Sequence, residues 1–174
     1  METKVITGKV RFSYANVFEP TSIGETGPKK YNVSILIDKN DTATINKINA
    51  AIEAAKVVGA DKISKAGKIL PNLKMPLRDG DEEKEDDSAY AGHFFVNANS
   101  SRKPQIVDKD LNEIISRDDF YSGCYGRASI VFYAYNVDGN KGIACGLNNI
   151  QKLEDGENLS GGSSATTDFA DEMM

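Results

Sequence analysis

Residues 127–135 read RASIVFYAY. With the two-residue period of a strand, Ala128, Ile130, Phe132 and Ala134 fall on one face and Arg127, Ser129, Val131, Tyr133 and Tyr135 on the other. The first set is wholly apolar and belongs in a core. The second combines a cation with two phenols, which is the make-up of a binding face. The stretch therefore predicts a half-buried strand with a functional outer side.

Working outward, the turn VDGN (137–140) joins this strand to a second one over 141–150 and is a good hairpin signal. Upstream, Val5–Phe12 (VITGKVRF) and Tyr31–Ile37 (YNVSILI) place β-branched or aromatic residues at alternate positions, and HFFVNAN (93–99) and 105–107 add further short strands. The Pro, Gly and Ser content of EPTSIGETGPKK (19–30) marks a loop. Ile45, Ile48, Ile52 and Ala55 recur at spacings of three or four behind Asp41, so an amphipathic helix capped by Asp41 is expected over 42–57. Residues 59–91 mix short apolar runs, lysines, prolines and an acidic block, and are expected to form an irregular excursion. Two strands, one helix and then several strands favour a mainly β protein, a small Greek-key barrel, over a parallel α/β sheet. From Glu154 onward the chain is poor in apolar residues and rich in Gly, Ser, Thr and acids. The expectation is one domain over 1–153 followed by a disordered acidic tail over 154–174.

A chain of 174 residues suits one well-buried core. It has no run of about 18 apolar residues and no signal-peptide pattern at its start, so a soluble protein of the bacterial cytoplasm, away from membranes, is expected. Cys124 and Cys145 are the only cysteines, without CxxC spacing, and are expected to be buried thiols. The net charge of −5 argues at first against a polyanionic partner. Its distribution reverses that. Residues 154–174 hold six of the 26 acids and none of the 21 Lys and Arg, which leaves 21 cations against 20 acids, or +1, on residues 1–153. The block Asp81–Asp87 (DEEKEDD) carries six acids against one lysine, so the remainder of the body stands at +6.

Candidates for catalysis are thin. His93 is the only histidine, neither cysteine has a local partner motif, and there is no Walker loop or GxGxxG. The acids around Asp79–Asp87 lack the ligand spacing of an EF-hand loop. No enzyme activity, metal or cofactor is expected.

A surface that holds extended polyanions needs cations interleaved with exposed rings. The residues that fit are Arg11, Tyr14, Lys29, Lys30, Tyr31, Phe95, Arg102, Lys103, Tyr125, Arg127, Tyr133 and Tyr135. Phe12 is expected in the core. Phe94 and Phe95 must point to opposite faces, and the sequence leaves open which of them is buried.

Six blocks in order, GKVRFSYANVFEP (8–20), KKYNVSILIDKND (29–41), PLRDGDEEK (76–84), YAGHFFVNANSSRKPQIVD (90–108), FYSGCYGRASIVFYAY (120–135) and GIACGLNNIQKLEDGENLSGG (142–162), resemble the Enc34-type phage single-stranded DNA-binding protein family. The resemblance implies an OB-fold-like barrel that binds single-stranded DNA without strong sequence preference, for phage replication, recombination or repair. Duplex DNA or RNA would bind more weakly, and a homo-oligomer is compatible with such a role. From the charge split, the tail from Glu154 onward would compete with DNA for the basic groove, and its Asp168, Phe169, Asp171 and Glu172 would offer an acidic peptide to replication or recombination proteins. Phe169 is internal, whereas many replication proteins of this type end their acidic tail on an aromatic residue. The Asp81–Asp87 block is expected to stay off the DNA face. The rival reading is a structural or protein-interaction module, such as a virion component, without nucleic-acid affinity.

Overall fold

The computed structural model describes residues 2–22 and 27–159. In chain order the elements are β1 (Lys4–Ile6), β2 (Val10–Ser22), β3 (Lys29–Asp38), α1 (Thr42–Val58), α2 (Ala60–Ile63), β4 (Ser64–Lys65), β5 (Lys68–Ile69), β6 (Arg78–Asp79), α3 (Gly80–Glu83), a 3-10 turn at Ser88–Tyr90, β7 (His93–Ser100), β8 (Gln105–Val107), β9 (Tyr125–Val137) and β10 (Asn140–Glu154).

The strand at 125–137 organises the rest. Along one edge β9 pairs antiparallel with β10, from Val137↔Asn140 to Tyr125↔Glu154. Its other edge pairs with β2 at Val10↔Gly126 and Arg11↔Tyr125, and with β1 at Val5↔Ile130. β2 pairs with β3, β3 with β7, and β7 runs parallel to β10. The ring β2-β3-β7-β10-β9 therefore closes on itself, which leaves no free edge in the barrel proper. Gly126 sits at the closure, where an added Cβ would lie 2.0 Å from the Gln151 carbonyl oxygen. Only glycine lets β9 pass β10 at that distance.

The expected alternation holds: Ala128, Ile130, Phe132 and Ala134 are buried in the main core with Phe12, Val33, Ile35, Ile37, Val96 and Ala98. α1 starts where expected, with the Asp41 carboxylate accepting from the Thr44 amide at 3.2 Å, and buries Ile48, Ala51, Ile52 and Ala55 against the barrel. Both cysteines are buried free thiols, and burial raises the pKa of each. The excursion after α1 holds a two-stranded hairpin, β4–β5, and then β6, which joins the edge of β7. No helix among the described residues is long and apolar enough to cross a membrane.

The end of the barrel differs from the compositional expectation. Glu154 closes β10, and residues 155–159 turn back along the loop before β9. The Tyr121 hydroxyl donates to Asp155 at 2.8 Å, the Leu159 amide donates to the Ser122 carbonyl at 2.8 Å, and Arg11 Nη2 donates to the Glu157 carbonyl at 3.0 Å. The segment thus adheres through its backbone, which composition does not reveal. Asp168, Phe169, Asp171 and Glu172 lie outside the described residues.

Phe132→Ala, at a site 1% exposed, should cost about 3–5 kcal/mol of folding free energy. Urea unfolding monitored by circular dichroism measures it.

Candidate nucleic-acid interface

Because the odd residues of β3 and the even residues of β7 fill the core, the intervening residues must face outward. The strand registers then define one row across the outside of six strands: Asn16 opposite Asn32, Asn32 opposite Asn99, Asn99 opposite Gly146, Gly146 opposite Val131, and Val131 opposite Lys4. At about 4.8 Å per strand this belt spans roughly 24 Å. Gly146 keeps its middle low. A Cβ there would meet the Val131 Cγ1 at 3.0 Å and the Tyr133 ring at 3.6 Å, so a side chain would fill the trough.

The belt has an amide floor. Asn16 Nδ2 donates to Asn32 Oδ1 at 3.0 Å, and Asn32 Nδ2 donates to Thr21 Oγ1 at 2.9 Å and to the Lys30 carbonyl at 3.0 Å. A concavity of about 430 Å³ lies over Asn32, Asn97 and Asn99, and among the described residues Lys84 is the only charged one lining it. A second, of about 450 Å³, lies past the end of β7, bounded by Lys4, Arg102, Lys103, Asn149 and Ser129, with no acid in its wall among the described residues. The floor is uncharged and the outer end is cationic.

Two rings stand at the belt. Tyr14 is 57% exposed and Tyr133 41%. Tyr14 occupies the irregularity between the Ser13 and Asn16 pairings and has φ +46°, a left-handed backbone that costs a non-glycine residue on the order of 1–3 kcal/mol. The bulge lifts the ring off the sheet. Its ring lies 6.3 Å from that of Tyr90, the Lys84 ammonium is 5.8 Å from each ring, and its hydroxyl donates to Asp87 at 3.1 Å. That bond, lost on ionisation, and the Asp87 charge raise the Tyr14 pKa, whereas burial is the main cause for Tyr133. Both rings are neutral at physiological pH.

The other expected residues fall into several places. Lys30 shares the outward parity of Asn32, and Lys29 opens the strand with its side chain in solvent. Tyr31 has the inward parity, at the open end of β3, and is half-buried. Arg102 and Lys103 are exposed, and the Lys103 ammonium lies 5.8 Å from the Phe18 ring. Arg11 and Lys9 flank the Tyr125 ring at 5.3 Å each, in a sector apart from the belt, and Arg11 is tied to the carbonyls of Gly123 and Glu157. Arg127 is held by Gln151 through two hydrogen bonds, at 3.0 and 2.6 Å. Tyr135 is half-buried, with its hydroxyl beside Gly142.

Two expectations are corrected. Phe95 is 0% exposed, in a second cluster with Leu36 and Tyr90, so it has no free face for a base. The Tyr90 ring, meeting it edge-on at 5.1 Å, covers it, and Phe94 is the partly exposed member of the pair. The acidic block does not stay clear of the belt: Asp87 holds the Tyr14 hydroxyl at its rim. Other parts of the block are neutralised locally, with Asp81 paired to Lys39, which also pairs with the neighbouring Asp79, and Glu83 paired to Arg78. Sequence reasoning missed Asn32, Asn97, Asn99, Lys84 and Gly146. The alternation of NVS and NAN on two strands is the signal that could have found the amides. Among the described residues, no three His, Cys, Asp or Glu side chains converge to hold a metal.

A closed five-stranded ring with this order, one parallel pair and ligand-sized hollows over its outer face defines an OB-type barrel. The family model described as Enterobacter phage Enc34, ssDNA-binding protein, matches residues 3–174, and the chain belongs to that family. Protein p50 of Acyrthosiphon pisum secondary endosymbiont phage 1 is 32% identical over 98% of this chain and 94% of its own length. The bacteriophage Enc34 single-stranded DNA-binding protein, solved in complex with ssDNA, superposes with a TM-score of 0.79 at 23% identity, covering 91% of this chain and 90% of that one. Gp2.5, a single-stranded DNA-binding protein of bacteriophage T7, gives 0.64 at 11% identity, covering 94% and 98%. The structural likenesses establish the fold.

Replacing Asp87 with Asn should bring the Tyr14 phenol back toward its ordinary pKa. A UV titration of the wild type, Asp87→Asn and Tyr14→Phe assigns the tyrosine and shows the shift or its absence.

Proposed function

We propose that the protein binds single-stranded DNA along the belt from Asn16 to Lys4, without strong sequence preference, in phage or prophage replication, recombination or repair. The row of registered residues supports this reading. It joins an uncharged floor, two exposed rings and a cationic outer end on one continuous surface. Tyr14 and Tyr133 stack bases, and Lys4, Lys30, Lys84, Arg102 and Lys103 follow the phosphates. Strand capture needs no bond-making groups, so the protein acts by binding rather than turnover. Family membership and the ssDNA complex of the Enc34 relative point the same way. Duplex DNA and RNA are weaker ligands, and residues 160–174 offer acids to protein partners and compete with the strand.

Fluorescence anisotropy of a labelled oligothymidylate at low and moderate salt, with matched duplex as competitor, tests the reading. Salt-sensitive binding that duplex does not displace is the expected result. Absence of binding at low salt by folded protein would move the structural-module reading to first place. Tyr14→Ala and Tyr133→Ala should each weaken binding by about 1–3 kcal/mol. Arg102→Gln with Lys103→Gln should flatten the log-affinity against log-salt slope by about 0.7 per lost phosphate contact.

A further inference from the structure

Of the four asparagines Asn16, Asn32, Asn97 and Asn99, two serve the fold and two do not. Asn16 and Asn32 satisfy one another, Thr21 and the Lys30 carbonyl, and so brace the bulged arm of β2 against β3. Asn97 and Asn99 have no side-chain hydrogen-bond partner among the described residues. Asn97 is exposed and Asn99 half-buried, and both point outward from β7, two residues apart on one face. That spacing is about 6.6–6.8 Å. The Tyr14–Lys84–Tyr90 cluster borders them on one side. On the other, past the Gly146 trough, stand Val131 and Tyr133.

Resting on the single-stranded DNA reading, we infer that Asn97 and Asn99 hydrogen-bond the Watson–Crick edges of bound bases, and do so whichever base is present. The charges decide which part of the strand lies where. Phosphates are drawn to Lys4, Arg102 and Lys103 at the outer end and to Lys84 at the rim, and the amide floor between them is left for the bases. A primary amide carries an acceptor beside donors and reverses that order by turning about its last torsion. Every Watson–Crick edge sets a donor next to an acceptor: N3–H and O4 in thymine, N4–H and N3 in cytosine, N6–H and N1 in adenine, N1–H and O6 in guanine. One rotatable amide thus serves all four. The contact also occupies the edge that a complementary strand would use, so it rewards unpaired bases while remaining indifferent to sequence.

The test compares wild type, Asn97→Ala/Asn99→Ala and Asn97→Thr/Asn99→Thr on oligo(dT), oligo(dC), oligo(dA) and an abasic oligodeoxynucleotide of equal length. The Thr pair places a strand-favouring β-branched side chain at each position while removing both amides. Losing both amide contacts, counted as one net hydrogen bond each, should weaken binding to all three homopolymers by a similar factor, roughly 5- to 150-fold, in both variants, and leave abasic binding unchanged. An equal loss on the abasic strand would overturn the inference, as would no loss on any strand. A loss confined to one homopolymer would also overturn it, by showing that the amides select a base. Wild type that binds none of the oligomers would instead overturn the single-stranded DNA reading itself, so the two failures are distinct.

Discussion

The structure depends on one backbone constraint: β9 must satisfy both of its edges at once, pairing with β10 along its length and with β2 and β1 on the other side. Once the ring closes, the pleat leaves each residue of the five strands a single choice of inside or outside. A one-residue slip of β9 would push Phe132 into water and Tyr133 into the core. The Gly126–Gln151 approach and the buried row of Phe12, Ile35, Val96 and Phe132 resist such a slip from the backbone and side-chain ends respectively.

The same constraint makes the belt. Residues that are far apart in sequence, from Lys4 to Gly146, come into one line because their registers are coupled through the ring. Their chemistry is graded along that line. Amides and small residues form the floor over β3, β7 and β10, and cations gather past the end of β7. The bulge that lifts Tyr14 gives up some backbone stability to present a ring, and Asp87 and Lys84 fix that ring from the side. An acidic segment at the rim also sets a repulsive boundary to the path of a polyanion.

Much of this was legible in the chain. The alternation in 127–135, the helix behind Asp41 and the core role of Phe12 follow from local periodicity, and all three stand in the structure. Six ordered sequence blocks carried the family resemblance, and the family model matches residues 3–174. Other features were not legible. Phe94 and Phe95 are equivalent to a two-residue period until Tyr90, from a different segment, covers one of them. Residues 155–159 look like tail by composition but adhere through backbone hydrogen bonds and the Tyr121–Asp155 contact, which composition does not register.

By itself, then, the sequence determined the strand periods, the single major helix, the acidic and basic partition of the chain and the family to which it belongs, because these are local or ordered properties of the residues. Tertiary structure alone decided which cations and rings share a surface. Arg11 and Arg127, which composition groups with Tyr133, are tied to the Gly123 and Glu157 carbonyls and to Gln151, and Tyr125 lies under Arg11 and Lys9, while Asn97, Asn99 and Lys84 join the belt. The reason is that a strand's period fixes the face of each residue but not its height along the barrel. That height is set only when hydrogen-bond registers close around the ring.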